Sequence, residues 1–361
     1  MDCVVIYWKA SRLSKNTAII YYGGFIRFGG VFSHVRAIEQ ELHNTGWNVV
    51  AITLDSLPIW CRYVPHLVEK LVNFFNRPLG FLYKGRVTRL LYKLFFDKKA
   101  DVRIFEDIYI AWDSEIPSIT ILHAVWSDNL QSNPVSTKQQ NKLKMHEALI
   151  VESLNHPVAT VSYPYFKYIM EGHFGRRLSK KIEVVELGID QSSFKKNISG
   201  NKKSIVYVGA LEARKNVLFL LKVFKKLSET DPDYKLTIVG DGPDRNELAD
   251  FAKVNRLNTN FLGSLSHEDV VSELHRHGIY LHTSIKESFS YSLLEAKLAG
   301  LITCASGKLQ VPGEFIDVAI STFNVDDWCN GILNIDWTPA ELNADNYTVE
   351  KMTLSTLRLA R

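Results

Sequence analysis

From Ser204 onward the chain alternates short β-branched runs with longer amphipathic ones, and this alternation constrains the fold more than any other feature. Strands are predicted at 204–208 (SIVYV), 235–239 (KLTIV), 260–262 (NFL), 279–282 (IYLH), 301–304 (LITC) and 318–320 (VAI). Helical patterns fill the gaps. In 217–227, Val217, Leu220, Leu221, Phe224 and Leu227 recur at helical spacing, while Lys222, Lys225 and Lys226 form the wet face. Continuous apolar strands separated by helices imply a parallel sheet covered on both faces, because parallel neighbours need a crossover that packs back on the sheet.

The N-terminal half repeats this grammar less cleanly. Strand candidates are 17–22 (TAIIYY), 48–53 (NVVAIT), 101–105 (DVRIF), 118–122 (SITIL) and 158–162 (VATVS), with a helix from Val31 to about His43. Residues 3–7 (CVVIY) read equally as strand or not. Residues 195–203 (KKNISGNKK) are polar, turn-rich and without apolar periodicity, as a linker is. A chain of 361 residues is long for a single core. The expected fold class is therefore α/β, with two Rossmann-like doubly wound parallel-sheet domains facing across a cleft. The expected domains are 1–194 and 195–344, with a C-terminal helix at about 345–361 packing back on the first. Such sheets bind ligands beyond the carboxyl ends of their strands.

Hydrophobic content of 46% with 23% charged residues is that of an ordinary globular protein. No uncharged apolar run reaches the ~18 residues a membrane span needs. The start, MDCVVIYWKASRLSK, lacks the pattern of a signal peptide, and Cys3, Cys61, Cys304 and Cys329 show neither C-x-x-C nor paired-histidine spacing. A cytoplasmic protein without a metal signature is expected, peripheral to a membrane at most. A net charge of +4 does not by itself imply nucleic acid.

The most informative stretch is Lys286–Gly300, KESFSYSLLEAKLAG, directly after the strand IYLHTS. Ser288, Phe289, Ser290 and Tyr291 are placed at a turn and helix start, where free backbone N–H groups and the helix dipole suit a phosphate. Glu295 lies inside the helix, where a carboxylate can accept two hydrogen bonds from a ribose diol. Taken alone, two glutamates eight positions apart are more often an ordinary helix start with solvated carboxylates. Upstream, however, stand Val208-Gly209-Ala210-Leu211-Glu212-Ala213-Arg214-Lys215-Asn216, then Ile238-Val239-Gly240-Asp241-Gly242-Pro243, then Phe261-Leu262-Gly263, each closing a predicted strand.

With these motifs in order, the sequence resembles glycosyltransferase family 4, the retaining enzymes of GT-B fold (glycosyl transferases group 1). The resemblance covers about 180–320 well and the N-terminal half loosely. It implies that Lys215 neutralises the donor diphosphate, Glu295 holds the nucleotide ribose and Glu287 contacts the donor sugar near the reacting carbon. It also implies donor contacts from Arg214, Gly240, Gly242, Ser288, Phe289 and Ser290, and no essential metal or other cofactor. A tight-turn role for Gly240 and Gly242 is an equal alternative. Two positions depart from the family pattern. Ala210 replaces a usual arginine, with Arg214 as the candidate substitute, and Glu287-Ser288-Phe289-Ser290 replaces E-G-F-G.

On the N-terminal side, Phe28-Gly29-Gly30-Val31 precedes the first helix where the family has a glycine pair over the diphosphate, with Gly23-Gly24 a competitor. His123 closes the strand SITIL, where the family often has a histidine beside the donor sugar; His34, one turn into the first helix, is a weaker candidate. Glu287, His123 and Lys215 are thus the expected catalytic residues. Ser162 and Gly188-Ile189-Asp190 read as architectural.

Between Leu57 and Lys99, nine Lys/Arg face only Glu69 and Asp97, interleaved with Trp60, Tyr63, Phe74, Phe75, Phe81, Tyr83, Tyr92, Phe95 and Phe96. Over Arg86–Phe96 an apolar set (Val87, Leu90, Leu91, Leu94, Phe95) and a basic set (Arg86, Arg89, Lys93) take different helical faces. Such a segment suits an anionic membrane surface or, equally, a helix packed on its own domain with a solvated basic face. Nucleic acid is not expected, since no motif for it occurs. The expected partners are a nucleotide-sugar donor and a glycan or lipid-linked acceptor. The expected activity is transfer of a hexose-type sugar in cell-surface polysaccharide synthesis. The alternatives are a sugar-nucleotide epimerase or phosphorylase on the same fold, or a non-catalytic partner in a membrane complex.

Overall fold

A computed structural model of the chain describes residues 16–25, 29–75, 79–129, 136–175, 178, 181–194 and 200–360. The strand candidate 3–7, Phe28 and most of the predicted linker lie outside them. Six strands form the first sheet: β1 (Thr17–Tyr21), β2 (Asn48–Ile52), β3 (Val102–Phe105), β4 (Ser118–Leu122), β5 (Val158–Thr160) and β6 (Ile182–Val184). Six more form the second: β7 (Asn201–Val208), β8 (Lys235–Val239), β9 (Thr259–Gly263), β10 (His277–His282), β11 (Ile302–Ser306) and β12 (Val318–Ile320).

The helices of the first half are α1 (Gly30–Asn44), α2 (Val64–Phe75), α3 (Gly80–Phe96), α4 (Trp126–Asn129), α5 (Thr137–Ser153) and α6 (Tyr163–Ile169). Those that follow are α7 (Val217–Thr230), α8 (Arg245–Val254), α9 (His267–Leu274), α10 (Tyr291–Leu298), α11 (Val325–Leu333) and α12 (Val349–Leu359). The polar stretch expected as linker therefore ends early, because β7 already pairs with β10 at Asn201.

Every strand pair is parallel, in the orders β2-β1-β3-β4-β5-β6 and β12-β11-β10-β7-β8-β9. Each order reverses direction once, between β1 and β3 and between β7 and β10. At such a switch point the loops leaving the two strands diverge and open a crevice. Tyr21 of β1, stacked on Phe105 at 5.2 Å and edge-on to Trp112 at 4.8 Å, fills the first core; Tyr207, Phe224 and Trp328 fill the second.

The last helix returns to the first half. α12 packs against α1, Thr348 pairs with Ile189 as an isolated parallel bridge, and the Ile189 amide donates to the Tyr347 carbonyl at 3.0 Å. A Cβ on Gly188 would stand 2.1 Å from the Thr348 carbonyl oxygen, so this crossing needs glycine.

α10 is fixed by a buried ion pair. Lys297 Nζ lies 2.6 Å from Asp317 Oδ1 and donates to the Ala340 carbonyl at 2.9 Å, while Asp317 accepts from the Thr303 amide of β11 at 2.9 Å. Both side chains are almost wholly enclosed. Removing one partner strands the other charge in a dry interior, which costs about 3–5 kcal/mol. Lys297→Ala is accordingly expected to lower the unfolding free energy by about that amount in urea titrations followed by circular dichroism.

Candidate active site

The site grows from the two switch points. Beyond β7, a turn of 3-10 helix (Ala213–Lys215) carries Arg214 and Lys215, and Asn216 closes it in the left-handed region at φ 53°. The strand-end residues of β10 hold this turn in place. Thr283 Oγ1 donates to the Lys215 or Asn216 carbonyl at 3.1 Å, and the Ile285 amide donates to the Arg214 carbonyl at 3.1 Å. Glu287 sits where both loops meet. Its Oε1 lies 2.5 Å from Lys215 Nζ and 3.3 Å from His282 Nε2, and its Oε2 lies 3.4 Å from Arg214.

Burial by itself would raise the Glu287 carboxyl, but Lys215, His282 and Arg214 together hold it well below the usual carboxylate range. Burial lowers the proton affinity of His282 against the pull of Glu287. The result is a mostly enclosed carboxylate facing two cations. Arg214 is also paired with Glu212 at 2.9 Å, so two cations and two carboxylates balance in this cluster.

α10 begins at Tyr291, not earlier. Ser290 is its N-cap, accepting from the Leu293 amide at 3.4 Å, and adopts φ 72°, a left-handed conformation that L-residues avoid. The side chain of Phe289 is buried among Tyr291, Phe315 and Tyr347, so only its backbone is available to a ligand. The Ser288 carbonyl accepts from Ser162 Oγ of the other half at 2.7 Å, which gives Ser162 a joining role. Lys286 Nζ likewise reaches the Tyr168 hydroxyl at 2.7 Å.

Glu295, one turn along α10, is 15% exposed and, among the described residues, has only His267 close to its carboxylate, at 3.7 Å. Burial pushes its carboxyl up to about 7. A carboxylate so poorly supplied with donors is ready to accept hydrogen bonds from a ligand. Gly240 and Gly242 are accounted for by packing. Cβ atoms there would stand 1.9 Å from the Gly209 carbonyl oxygen and 2.3 Å from that of Leu211, and Gly240 has φ 133°. The turns after β7 and β8 could not close on each other with side chains present.

In the first half, Gly29 caps α1 at φ 141° with open space where a Cβ would be, and Gly30 faces the Tyr291 ring, 3.4 Å from its would-be Cβ. The glycine pair therefore lies against the start of α10. His123, just after β4, bonds through Nε2 to Glu106 Oε2 at 2.8 Å, and His34 Nε2 lies 3.4 Å from the same oxygen. The two imidazoles meet edge to face at 4.9 Å. Burial lowers His34 to about 4, against the pull of Glu106, so its ring is neutral. His34, the weaker sequence candidate, thus joins His123, and the expectation of no metal-type cluster meets a His–Glu–His group here.

Glu106 and His282 were not singled out from sequence, although each follows the rule that strand ends face the cleft. A D-x-D does occur, Asp231-Pro232-Asp233, but it enters β8 at the opposite strand ends and pairs with Lys203 at 2.8 and 3.0 Å.

Residues 188–324 match the family model "Glycosyl transferases group 1". Over those residues the chain is similar to the glycosyl transferases group 1 family. The chain is 27% identical over 218 residues to glycogen synthase from Mycobacterium tuberculosis, a match covering 56% of this chain and 50% of the relative. The chain thus spans about half the length of that relative. Among solved structures it is similar to sucrose-phosphate synthase from Thermosynechococcus elongatus, with TM-score 0.68, 16% identity and coverage of 96% and 95% of the two chains. It is also similar to HepE from Anabaena in complex with UDP and glucose, with TM-score 0.61, 16% identity and coverage of 94% and 97%. The fold shared with both is GT-B, two doubly wound parallel sheets.

The Glu295 carboxyl makes a direct prediction. Its folded pKa of about 7 lies above the ordinary 4.5, so the folded chain binds this proton more tightly than the unfolded one. The stability it contributes is complete below about pH 4.5 and is lost as pH rises through about 7, by at most about 3 kcal/mol at roughly 1.4 kcal/mol per pH unit. Urea unfolding of the parent and Glu295→Gln at pH 5 and pH 8 should show a smaller pH 5-to-8 decline in the variant.

Proposed function

We propose that the protein is a retaining glycosyltransferase that moves a hexose-type sugar from a nucleoside diphosphate to a hydroxyl of a glycan or glycolipid. The observation carrying this reading is the group formed by Lys215, Arg214 and Glu287 at one switch point, with Glu295 one helix turn beyond. Lys215 and Arg214 meet the charge that grows on the leaving diphosphate, which stabilises the transition state more than the ground state. Arg214 takes the place of the arginine that Ala210 lacks. Glu295 accepts both ribose hydroxyls, Glu287 orients the donor sugar, and His123 stands on the opposite wall beside it. Gly29 and Gly30 leave room for the diphosphate, which needs no magnesium or manganese bridge in this arrangement.

The test is a panel of nucleotide sugars, read by thermal stabilisation and nucleotide release, followed by calorimetry. Glu295→Ala should weaken nucleotide binding by about 1.5–3 kcal/mol, the worth of hydrogen bonds to a charged group. Lys215→Ala should lower turnover at saturating donor. Adding magnesium should leave donor affinity unchanged. A Lys215→Ala protein with full turnover would move the leaving-group role to Arg214; absence of any nucleotide binding would overturn the reading.

The acceptor side rests on α2 and α3. The inward face of α3 is Leu82, Gly85, Thr88 and Tyr92, with Tyr92 donating to the Tyr22 carbonyl at 2.7 Å; Leu90 and Leu94 of the apolar set point outward. α2 and the turn before it expose Trp60, Val64, Leu67, Leu71, Phe74 and Phe75, a stripe at helical spacing, with Trp60 72% and Phe74 83% exposed. Lys70, Arg86 and Lys93 also belong to this hairpin, and Lys70, Arg86 and Lys93 are exposed. No helix among the described residues is long and apolar enough to cross a membrane. An apolar stripe flanked by cations suits the boundary of an anionic bilayer, each cation adding about 1 kcal/mol at low salt. Vesicle co-sedimentation should show binding that needs anionic lipid and falls with salt. Trp60→Ser with Phe74→Ser, and separately Arg86→Glu with Lys93→Glu, should each reduce it. Binding indifferent to lipid charge would leave the hairpin without this role.

A further inference from the structure

Three cations of α3 line a cavity that no step of sugar transfer uses. Arg86, Arg89 and Lys93, at helical spacing i, i+3 and i+7, share one face of α3. They border a cavity of about 520 Å³ whose other walls are Trp112 and Asp113, in the loop that enters β4, and the end of α5 before β5. Loops that enter strands lie at their amino ends, so this cavity is at the far end of the first sheet from His123 and the cleft.

The cations are short of negative partners. Asp113 is the one carboxylate in the lining, and its Oδ1 accepts from the Asn155 amide at 2.9 Å. Among the described residues none of the three cations is ion-paired, whereas the neighbouring Lys84 and Arg103 pair with Glu69 at 3.0 Å and Asp97 at 2.5 Å. Arg89 is half-buried and directs one N–H at the Ala111 carbonyl, at 3.3 Å. Burial, and next the charge of Arg86, push the Arg89 pKa down against the pull of Asp113. Lys93 Nζ stands 5.8 Å from the centre of the Trp112 ring, so an aromatic face serves it in place of a carboxylate. Trp112 is 4% exposed, and its indole N–H has no hydrogen-bond partner among the described residues. A buried donor without an acceptor is costly, and it borders the same cavity as the uncompensated cations.

We propose that this cavity binds one phosphate monoester. Three cations less one carboxylate leave the lining with a net charge of +2. A phosphate monoester carries roughly 1.5 to 2 negative charges near neutral pH, whereas a carboxylate or sulfate ester carries one and leaves a cation uncompensated. Its terminal oxygens accept several hydrogen bonds at once, which suits the planar forks of two guanidinium groups. The Trp112 N–H supplies a further donor. Leu90, in the lining and 66% exposed, meets the group that the phosphate carries. A small soluble ester and the headgroup of a membrane lipid both present this chemistry. The inference goes beyond the proposed sugar transfer and shares no residue with the donor site. Unlike the diffuse attraction of the hairpin to a charged bilayer, it requires a saturable site for one ligand per chain.

The experiment titrates the full chain with glycerol 3-phosphate by calorimetry and, separately, with phosphatidylcholine vesicles containing either phosphatidic acid, a monoester, or phosphatidylglycerol, a diester. Binding at one ligand per chain should weaken with salt and be at least about tenfold tighter than that of the monoanion methyl sulfate. Arg89→Gln and Trp112→Phe should each weaken it by about tenfold or more. Circular dichroism checks that both fold, and the half-buried Arg89→Gln carries the test if Trp112→Phe does not. A response to glycerol 3-phosphate identifies a soluble ester as sufficient. A response only to vesicles, with phosphatidic acid preferred over phosphatidylglycerol and the preference lost in the variants, identifies a lipid headgroup. No response to either probe, or equal responses from the parent and the folded variants, would overturn the proposal. Nucleotide calorimetry on the same preparation reports the donor site separately, so either reading can fail alone.

Discussion

Because all strands in each sheet run the same way, every connection must return along a helix to start again at the same edge. The residues that leave strand ends are thereby collected on one side of each sheet. Two such edges face each other here, and interdomain contacts such as Ser162 to Ser288 and Gly30 to Tyr291 lie between them. Nothing chemical in this molecule is placed by long-range coincidence. Lys215 meets Glu287, and Glu106 meets His123, because each follows a strand next to a reversal in strand order or one strand away from it.

Within that frame, burial acts on two carboxylates of one motif in opposite ways. Glu287 is held ionised because Lys215, Arg214 and His282 surround it. Glu295, with His267 as its distant neighbour, is held partly protonated near neutral pH. The first is a fixed negative charge that orients two cations. The second is an acceptor whose partners arrive with the ligand. A nucleotide sugar, whose diphosphate links the sugar to a paired-hydroxyl ribose, fits this division of labour.

Much of this was legible in the sequence. The strand runs from Thr17, Asn48, Val102 and Ser118 and those of the second half recur within a few residues of their expected places, because continuous β-branched runs leave little choice. β6 escaped because Ile182–Val184 is a three-residue edge strand with one exposed position. Lys215, Glu287 and Glu295 were visible because a motif carried them. Glu106 was not, since a lone glutamate after a strand has no spacing partner; only the fold brings His34 and His123 to it. The faces of α3 were left open for a related reason. Periodicity locates an apolar stripe but does not say whether protein or another apolar medium covers it, and the small residues Gly85 and Thr88 mark the inward face instead.

The return of α12 has a mechanical consequence. The chain crosses between halves twice, near Ile189 and again near Thr348, and the two crossings are bonded side by side. Two parallel pins through one line leave a body a single axis to turn about. α12 then grips α1, whose first turn carries Gly30 and whose second carries His34. Rotation about that axis would carry the first sheet, α1 and α12 as one lever arm, with the glycine pair swinging toward or away from Tyr291 while the crossings stay still.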